Sequence, residues 1–203
     1  HETSANALTW TLFLLSQHPD IYHHVRDELA GVLDGDAPTV EQLSKLPYLE
    51  AVINESMRVL PPVVWIQRIA AQEVELGTHT LGAGSTLILS HFMTHHNADV
   101  YPNPRQFDPA RWDDWKPAPY EYMAFSAGPR MCIGAGFAMM EMKIALAMIL
   151  QRYTLELVPN AQIDRHVTVT LSPKDGIPMR VKRAEEALQV HRAGGDIRAL
   201  VSL

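Results

Sequence analysis

FSAGPRMCIGAG, residues 125–136, holds the chain's single cysteine, Cys132. A lone cysteine is most often a small buried hydrophobe without chemistry. The surroundings of this one point elsewhere. An apolar, methionine- and alanine-rich run from Gly134 to Gln151 reads as a helix. The start of that helix sets partial positive charge near the sulfur, a setting that suits an anionic ligand atom. Gly128, Gly134 and Gly136 strip side chains from the loop, so backbone N–H groups or a flat ligand can come close. Pro129 stiffens the turn, and Arg130 supplies a fixed cation able to pair with a carboxylate.

Several thiol chemistries fit poorly. A redox pair needs a second cysteine, and the chain has 1. A zinc site of the usual kind wants several Cys and His at short spacing. A phosphatase-style loop carries an arginine after its cysteine, whereas residues 133–139 read IGAGFAM. A cysteine protease needs a paired histidine, which a chain with 10 histidines leaves open. A thiolate serving as axial ligand to a heme iron, with glycines making room for the macrocycle, uses every feature of the loop.

Upstream, residues 5–17 place Ala5, Leu8, Leu12 and Leu15 on one helical face with Trp10, Phe13 and Leu14 beside them, predicting a buried helix. Pro19 opens a second helix reaching about Leu33. Thr39 and Gln42 have the spacing of a capping box for a short helix. Another helix is expected from Tyr48 to Leu60, stopped by Pro61 and Pro62. Residues 63–90 are rich in β-branched residues with turn signals between them, and predict short strands in a small sheet. Pro102, Pro104, Pro109, Pro117 and Pro119 make 97–119 a meandering loop. TLELV, VTVTL and PMRVK read as further short strands, and the charged tail beyond Arg183, with its Gly-Gly, as a fraying end. No internal repeat is visible.

Acidic residues outnumber basic ones, 23 to 17, for a net charge of −6, which argues against nucleic acid as a main partner. No apolar run reaches the roughly 18 residues that cross a bilayer. A soluble, cytoplasmic protein is expected, with membrane association and an anchor ahead of residue 1 left open. The chain opens HETSANALTW at the edge of an apolar helical pattern, so it is read as entering mid-helix, its N-terminal half absent.

Phe125-Ser-Ala-Gly128-Pro-Arg130-Met-Cys132-Ile-Gly134 resembles the heme-binding loop of the cytochromes P-450, the heme-thiolate monooxygenases. The sequence departs from that pattern at Ser126, where the family usually has glycine. Three further motifs agree in order and spacing. Glu55-Ser-Met-Arg58 resembles the family's Glu-x-x-Arg, whose two side chains share one helix face at i and i+3. Phe107-Asp-Pro109-Ala-Arg111-Trp112 resembles the segment whose arginine completes a Glu-Arg-Arg triad. His1-Glu-Thr-Ser-Ala5 resembles the central helix carrying an acid–alcohol pair. The resemblance covers residues 1–183, the C-terminal heme-binding part of such a protein, and leaves 184–203 as a tail without counterpart.

The resemblance implies a mainly α fold with small β sheets, binding heme b (iron protoporphyrin IX). It implies Cys132 as the iron ligand, and Phe125, Gly128, Arg130 and Gly134 as its cofactor-binding loop. Arg130 and Arg68 would pair with heme propionates, and Glu2 and Thr3 would form the catalytic acid–alcohol pair. Glu55, Arg58 and Arg111 would be a structural triad. Ala5, Val63, Val64 and Leu171 would approach the substrate, and their apolar character suits a lipophilic one. The implied activity inserts one atom of O2 into that substrate, with electrons from a reductase or ferredoxin-type donor. Two alternatives stand beside it. One is a heme-thiolate isomerase or peroxygenase that needs no reductase. The other is a non-catalytic heme-binding fragment, which would leave a large apolar surface exposed.

Overall fold

The computed structural model describes residues 1–203. Its spine is α1 (Glu2–Gln17), which packs against three further helices and a C-terminal strand. Trp10, Phe13 and Leu14 are fully buried, as expected of a helix apolar on most sides. Its buried polar groups find partners, as burial requires. Thr11 Oγ1 donates to Ser56 Oγ at 2.9 Å, and Trp10 Nε1 donates to the Leu171 carbonyl at 3.0 Å.

α2 (Pro19–Val32) begins at its proline. α3 (Val40–Leu43) carries the expected capping box: Thr39 Oγ1 accepts from Gln42 N, and Gln42 Oε1 accepts from Thr39 N. α4 (Pro47–Val59) lacks a side-chain cap of its own, and Glu28 of α2 serves instead. The Glu28 carboxylate accepts from the Tyr48 and Leu49 amides at 2.7 and 2.9 Å, so an anion from one helix satisfies the free N–H groups of another.

Past Pro61-Pro62 the chain forms β1 (Trp65–Ile69), β2 (Val74–Leu76), β3 (His79–Leu81) and β4 (Thr86–Ser90), with β1 antiparallel to β4 and β2 to β3. α5 (His91–His95) follows directly, capped by Ser90 Oγ, which accepts from the Met93 amide. α6 (Arg111–Asp114) is a single turn inside the stretch read as loop. α7 (Ala135–Arg152) runs into β5 (Tyr153–Leu157), then β6 (Arg165–Val167), β7 (Leu171–Pro173) and β8 (Met179–Arg183). β5 pairs with β8 and β6 with β7, every sheet having two strands.

Two expectations are corrected. VTVTL is not one strand: it straddles a tight hairpin in which Val167 pairs with Leu171, so its alternation reflects two strand ends and the turn between them. The tail does not fray. Ala193, Ile197 and Val201 are buried in the main core. Gln17, at the end of α1, binds the tail twice, accepting from the Ala193 amide at 3.0 Å and donating to the His191 carbonyl at 3.1 Å. The Gly-Gly inside that tail is a close-contact point. A Cβ on Gly195 would meet the Ile163 backbone at 2.4 Å, and its φ is +89°. No helix is long and apolar enough to cross a membrane.

Candidate functional site

Glu55 and Arg58 lie one turn apart on α4, both with no solvent exposure. Arg58 Nε and Nη2 each donate to a Glu55 carboxylate oxygen at 2.8 Å, a two-point fork. The remaining guanidinium N–H groups go to carbonyls of His95, Pro104 and Gln106. Glu55 also accepts from Arg111 Nε at 3.4 Å, Trp112 Nε1 at 3.0 Å and the Asp108 amide at 3.1 Å. The three residues expected as a triad therefore meet. Trp112 joins them, a partner that the sequence reading missed although it lies beside Arg111. A buried carboxylate demands such saturation, since an unpaired charge costs several kcal/mol.

From this cluster a short relay reaches the cysteine loop. Arg58 holds the His95 carbonyl, and His95 Nε2 accepts from the Met123 amide at 2.8 Å. The Met123 carbonyl in turn accepts from the Ser126 amide at 2.8 Å. The His95 ring stacks on Tyr122 with centroids 5.3 Å apart. Burial holds its imidazole far below the usual range, at about 3, with His91 and Arg58 adding to the effect. It is therefore neutral and able to accept. In sequence His91 and His95 stand one helical turn apart, a spacing that could hold a metal on geometry alone but more often marks solvated or hydrogen-bonded histidines, and both are hydrogen-bonded here.

The loop itself turns through a short 3-10 segment at Gly128–Arg130. The Cys132 amide donates back to the Phe125 carbonyl at 2.9 Å, closing the loop on itself. Gly128 adopts φ +68°, and a Cβ there would meet the Tyr120 hydroxyl at 3.2 Å. Ser126 also lies in the left-handed region, at φ +62°. The position where this sequence departs from the motif's glycine is thus one whose backbone favours glycine.

Cys132 lines a cleft of about 220 Å³ together with Thr3 of α1 and Phe125, Ser126 and Arg130 of the loop. Met57, Val63, Ile66 and Ala138 make its walls largely apolar. No acidic residue lines it, so Arg130 is an unneutralised cation there. His91 also lines it, 1 % exposed; its Nδ1 donates to the Val63 carbonyl at 3.0 Å, and its Nε2 has no partner. The apolar residues Met131, Ile133 and Phe137 are exposed beside the cysteine.

Other expected site residues are distributed unevenly. Glu2 sits outside the cleft wall, its exposed carboxylate accepting from Thr170 Oγ1 at 2.9 Å. Arg68 is solvent-exposed and donates to the Gln67 carbonyl at 2.8 Å. It stands two residues from Ile66 on β1, hence on the strand face that borders the cleft. Gly134 ends the loop as the residue before α7. Val63 lines the cleft, but Val64 and Leu171 face a separate groove, and Ala5 is exposed away from it. Ser4 and Ala7 take the place expected for Ala5, because a helix turns about 100° per residue.

The family model described as Cytochrome P450 matches residues 1–178. Cytochrome P450 4A24 of Sus scrofa is 37 % identical over 186 residues, covering 90 % of this chain and 37 % of its own length. Carotene epsilon-monooxygenase of Arabidopsis thaliana is 35 % identical over 190 residues, covering 90 % of this chain and 35 % of its own. The chain thus spans little more than a third of the curated relatives it matches. Among solved structures, retinoic acid-bound cyanobacterial CYP120A1 superposes with a TM-score of 0.84 at 32 % identity, over 90 % of this chain and 43 % of that one.

Proposed function

The chain belongs to the cytochrome P450 family, and from that premise we propose that it is the heme-binding part of a heme-thiolate monooxygenase acting on a lipophilic substrate. The observation that carries this reading is the meeting of Thr3 and Cys132, from opposite ends of the matched sequence, on one largely apolar cleft.

The family implies heme, and the residues present fit it. The cleft offers one soft sulfur donor, an unneutralised guanidinium for a carboxylate, and apolar walls for a flat macrocycle. Cys132 would hold the iron of heme b, and Arg130 a propionate; Arg68, on the bordering strand face, is the second propionate candidate. Phe125 and the glycines at 128 and 134 would leave room for the ring. When bound, heme supplies O2 activation, which the thiolate favours by electron donation.

This chain's own residues do the rest. The Thr3 hydroxyl, on the cleft wall, can accept one hydrogen bond while donating another, so it can hold a water or a polar oxygen in place. Glu2, next to it but facing solvent, can exchange protons with bulk water and pass them inward. Neighbouring residues thus divide the tasks of holding and replenishing a proton. Ala7, Val63 and Ile66 exclude water and favour an apolar substrate. Electrons would come from a reductase or ferredoxin-type donor.

The test is the absorption spectrum of the heme-loaded, reduced, carbon monoxide-bound protein beside Cys132→Ser. A strongly red-shifted Soret band that disappears in the serine variant is expected. A spectrum unchanged by the substitution would sink the assignment of Cys132.

A further inference from the structure

The C-terminal tail has no part in the reading above, yet its end reaches the cluster on α4. Ile197 and Val201 are buried in the core and fix the tail in place. The next amide, that of Ser202, donates to the Arg105 carbonyl at 2.8 Å. Arg105 sits in a tight turn, in which the Gln106 amide donates to the Asn103 carbonyl at 2.9 Å and Asn103 lies at φ +52°. The carbonyls on either side of Arg105 have a different partner. Those of Pro104 and Gln106 accept from Arg58 Nη1 and Nη2 at 2.8 and 2.9 Å. The turn is thus held between a buried guanidinium and the tail. All five N–H groups of Arg58 are used, so it has no spare donor with which to trade partners. Nη1 donates to both the Pro104 and the His95 carbonyls. A turn that drifts therefore pulls on the His95 bond too, and His95 Nε2 is the acceptor for the Met123 amide ahead of the cysteine loop.

We propose that Ser202 is a positioning residue for the cysteine loop: its backbone amide fixes the 103–106 turn and, through Arg58 and His95, sets where the loop holds Cys132. The use made of the sulfur rests on the heme reading; the positioning of the loop does not. Ser202 is exposed, and its contribution comes from the main chain, so the identity of its side chain is immaterial. The contact lies beyond residue 178, where the match to the family model ends. The tail thereby adds to the buried cluster a restraint that Glu55, Arg58 and Arg111 do not supply among themselves. Contiguity alone is not coupling, so the test changes the tail amide and reads the loop.

Ser202→Pro removes the amide hydrogen, an ester in place of the Val201–Ser202 peptide bond removes it without adding a ring, and Ser202→Ala keeps it. Each is compared with the unmodified protein, purified at its full natural length, by amide hydrogen exchange. The proline and the ester should speed exchange of the Met123 and Ser126 amides by roughly two- to tenfold, the change that one lost hydrogen bond brings. The Phe13 and Leu14 amides of α1 should keep their rates, and Ser202→Ala should match the unmodified protein throughout. In the reduced, carbon monoxide-bound state at equal heme loading, the proline and the ester should show a smaller share of the red-shifted Soret band, and Ser202→Ala the full share. Unchanged exchange at Met123 and Ser126 in the ester protein would overturn the proposal, whether or not Ser202→Pro folds. So would a rise that α1 shares, which is general loosening, or one that Ser202→Ala reproduces, which would put the effect in the side chain. An unchanged Soret share beside faster exchange would overturn it too, because the loop would then hold the sulfur as before. A protein that takes up no heme would overturn the heme reading alone, since the exchange comparison still decides the positioning.

Discussion

Ser126 shows how much one side chain can reveal at the residue scale. Its φ of +62° places a Cβ where L-residues are strained by roughly 1–2 kcal/mol. Ser126→Gly removes that strain but gives the unfolded chain more freedom, a cost of about 0.4–1 kcal/mol. The net expectation is a stabilisation of about 0.5–1 kcal/mol, seen as a raised Tm; a lowered Tm would mean that the serine side chain makes contacts outweighing its strain. Arg58 is the opposite case, because all its N–H groups are engaged in the interior. Arg58→Ala leaves Glu55 buried with only the longer Arg111 contact as cationic partner. A loss of about 3–5 kcal/mol is expected, together with failure to incorporate heme. Denaturant titration and the heme-to-protein absorbance ratio check both; a normally loaded variant would refute the link from triad to loop.

At the scale of elements, α5 and the residue after it concentrate the chain's pH sensitivity. His91, His95 and His96 all have pKa values lowered by burial, that of His95 to about 3. The folded state thus binds fewer protons than the unfolded one below pH 6.5. Stability is full above about 6.5 and falls as pH drops from there toward 3. Midpoints from urea unfolding at pH 7.5, 6.0 and 5.0 should fall in that order, and His95→Gln should flatten the dependence; a flat profile in the unmodified protein would contradict the neutral, buried His95. α5 was also where the sequence reading was thinnest. Five residues are too few to display a helical period, and the helix exists because Ser90 caps it and His95 is needed by Met123. The long helices α1 and α7, with several turns of apolar pattern, were legible without a structure. The capping box of α3 was legible because it is purely local. The hairpin inside VTVTL was not, since a period of 2 continues unbroken across a turn this tight. In the site, residues bound by a local motif (Cys132, Arg130, Glu55, Arg58) were legible. For His91 and His95 the hydrogen-bonded state was legible but the partners were not, because these are backbone groups 28 residues away in sequence.

The whole molecule is closed by its C-terminal tail. Residues 191–193 bind Gln17 at the end of the spine helix, and Gly194 donates its amide to the Ala161 carbonyl. Gly195→Ala must either push a methyl group into the Ile163 backbone or abandon φ +89°. A destabilisation larger than the roughly 0.4–1 kcal/mol that a compatible glycine-to-alanine change gains is expected, measurable by thermal unfolding; a neutral result would mean the tail is loose in solution. The tail has a meaning for how families are delimited. The match to the family model ends at residue 178, yet β8, the partner of β5, begins at Met179, and Ile197 and Val201 complete the interior. The stretch that matches the family model and the stretch that packs into one interior are therefore different lengths of chain. A boundary drawn at residue 178 would here part β5 from β8 and uncover a core.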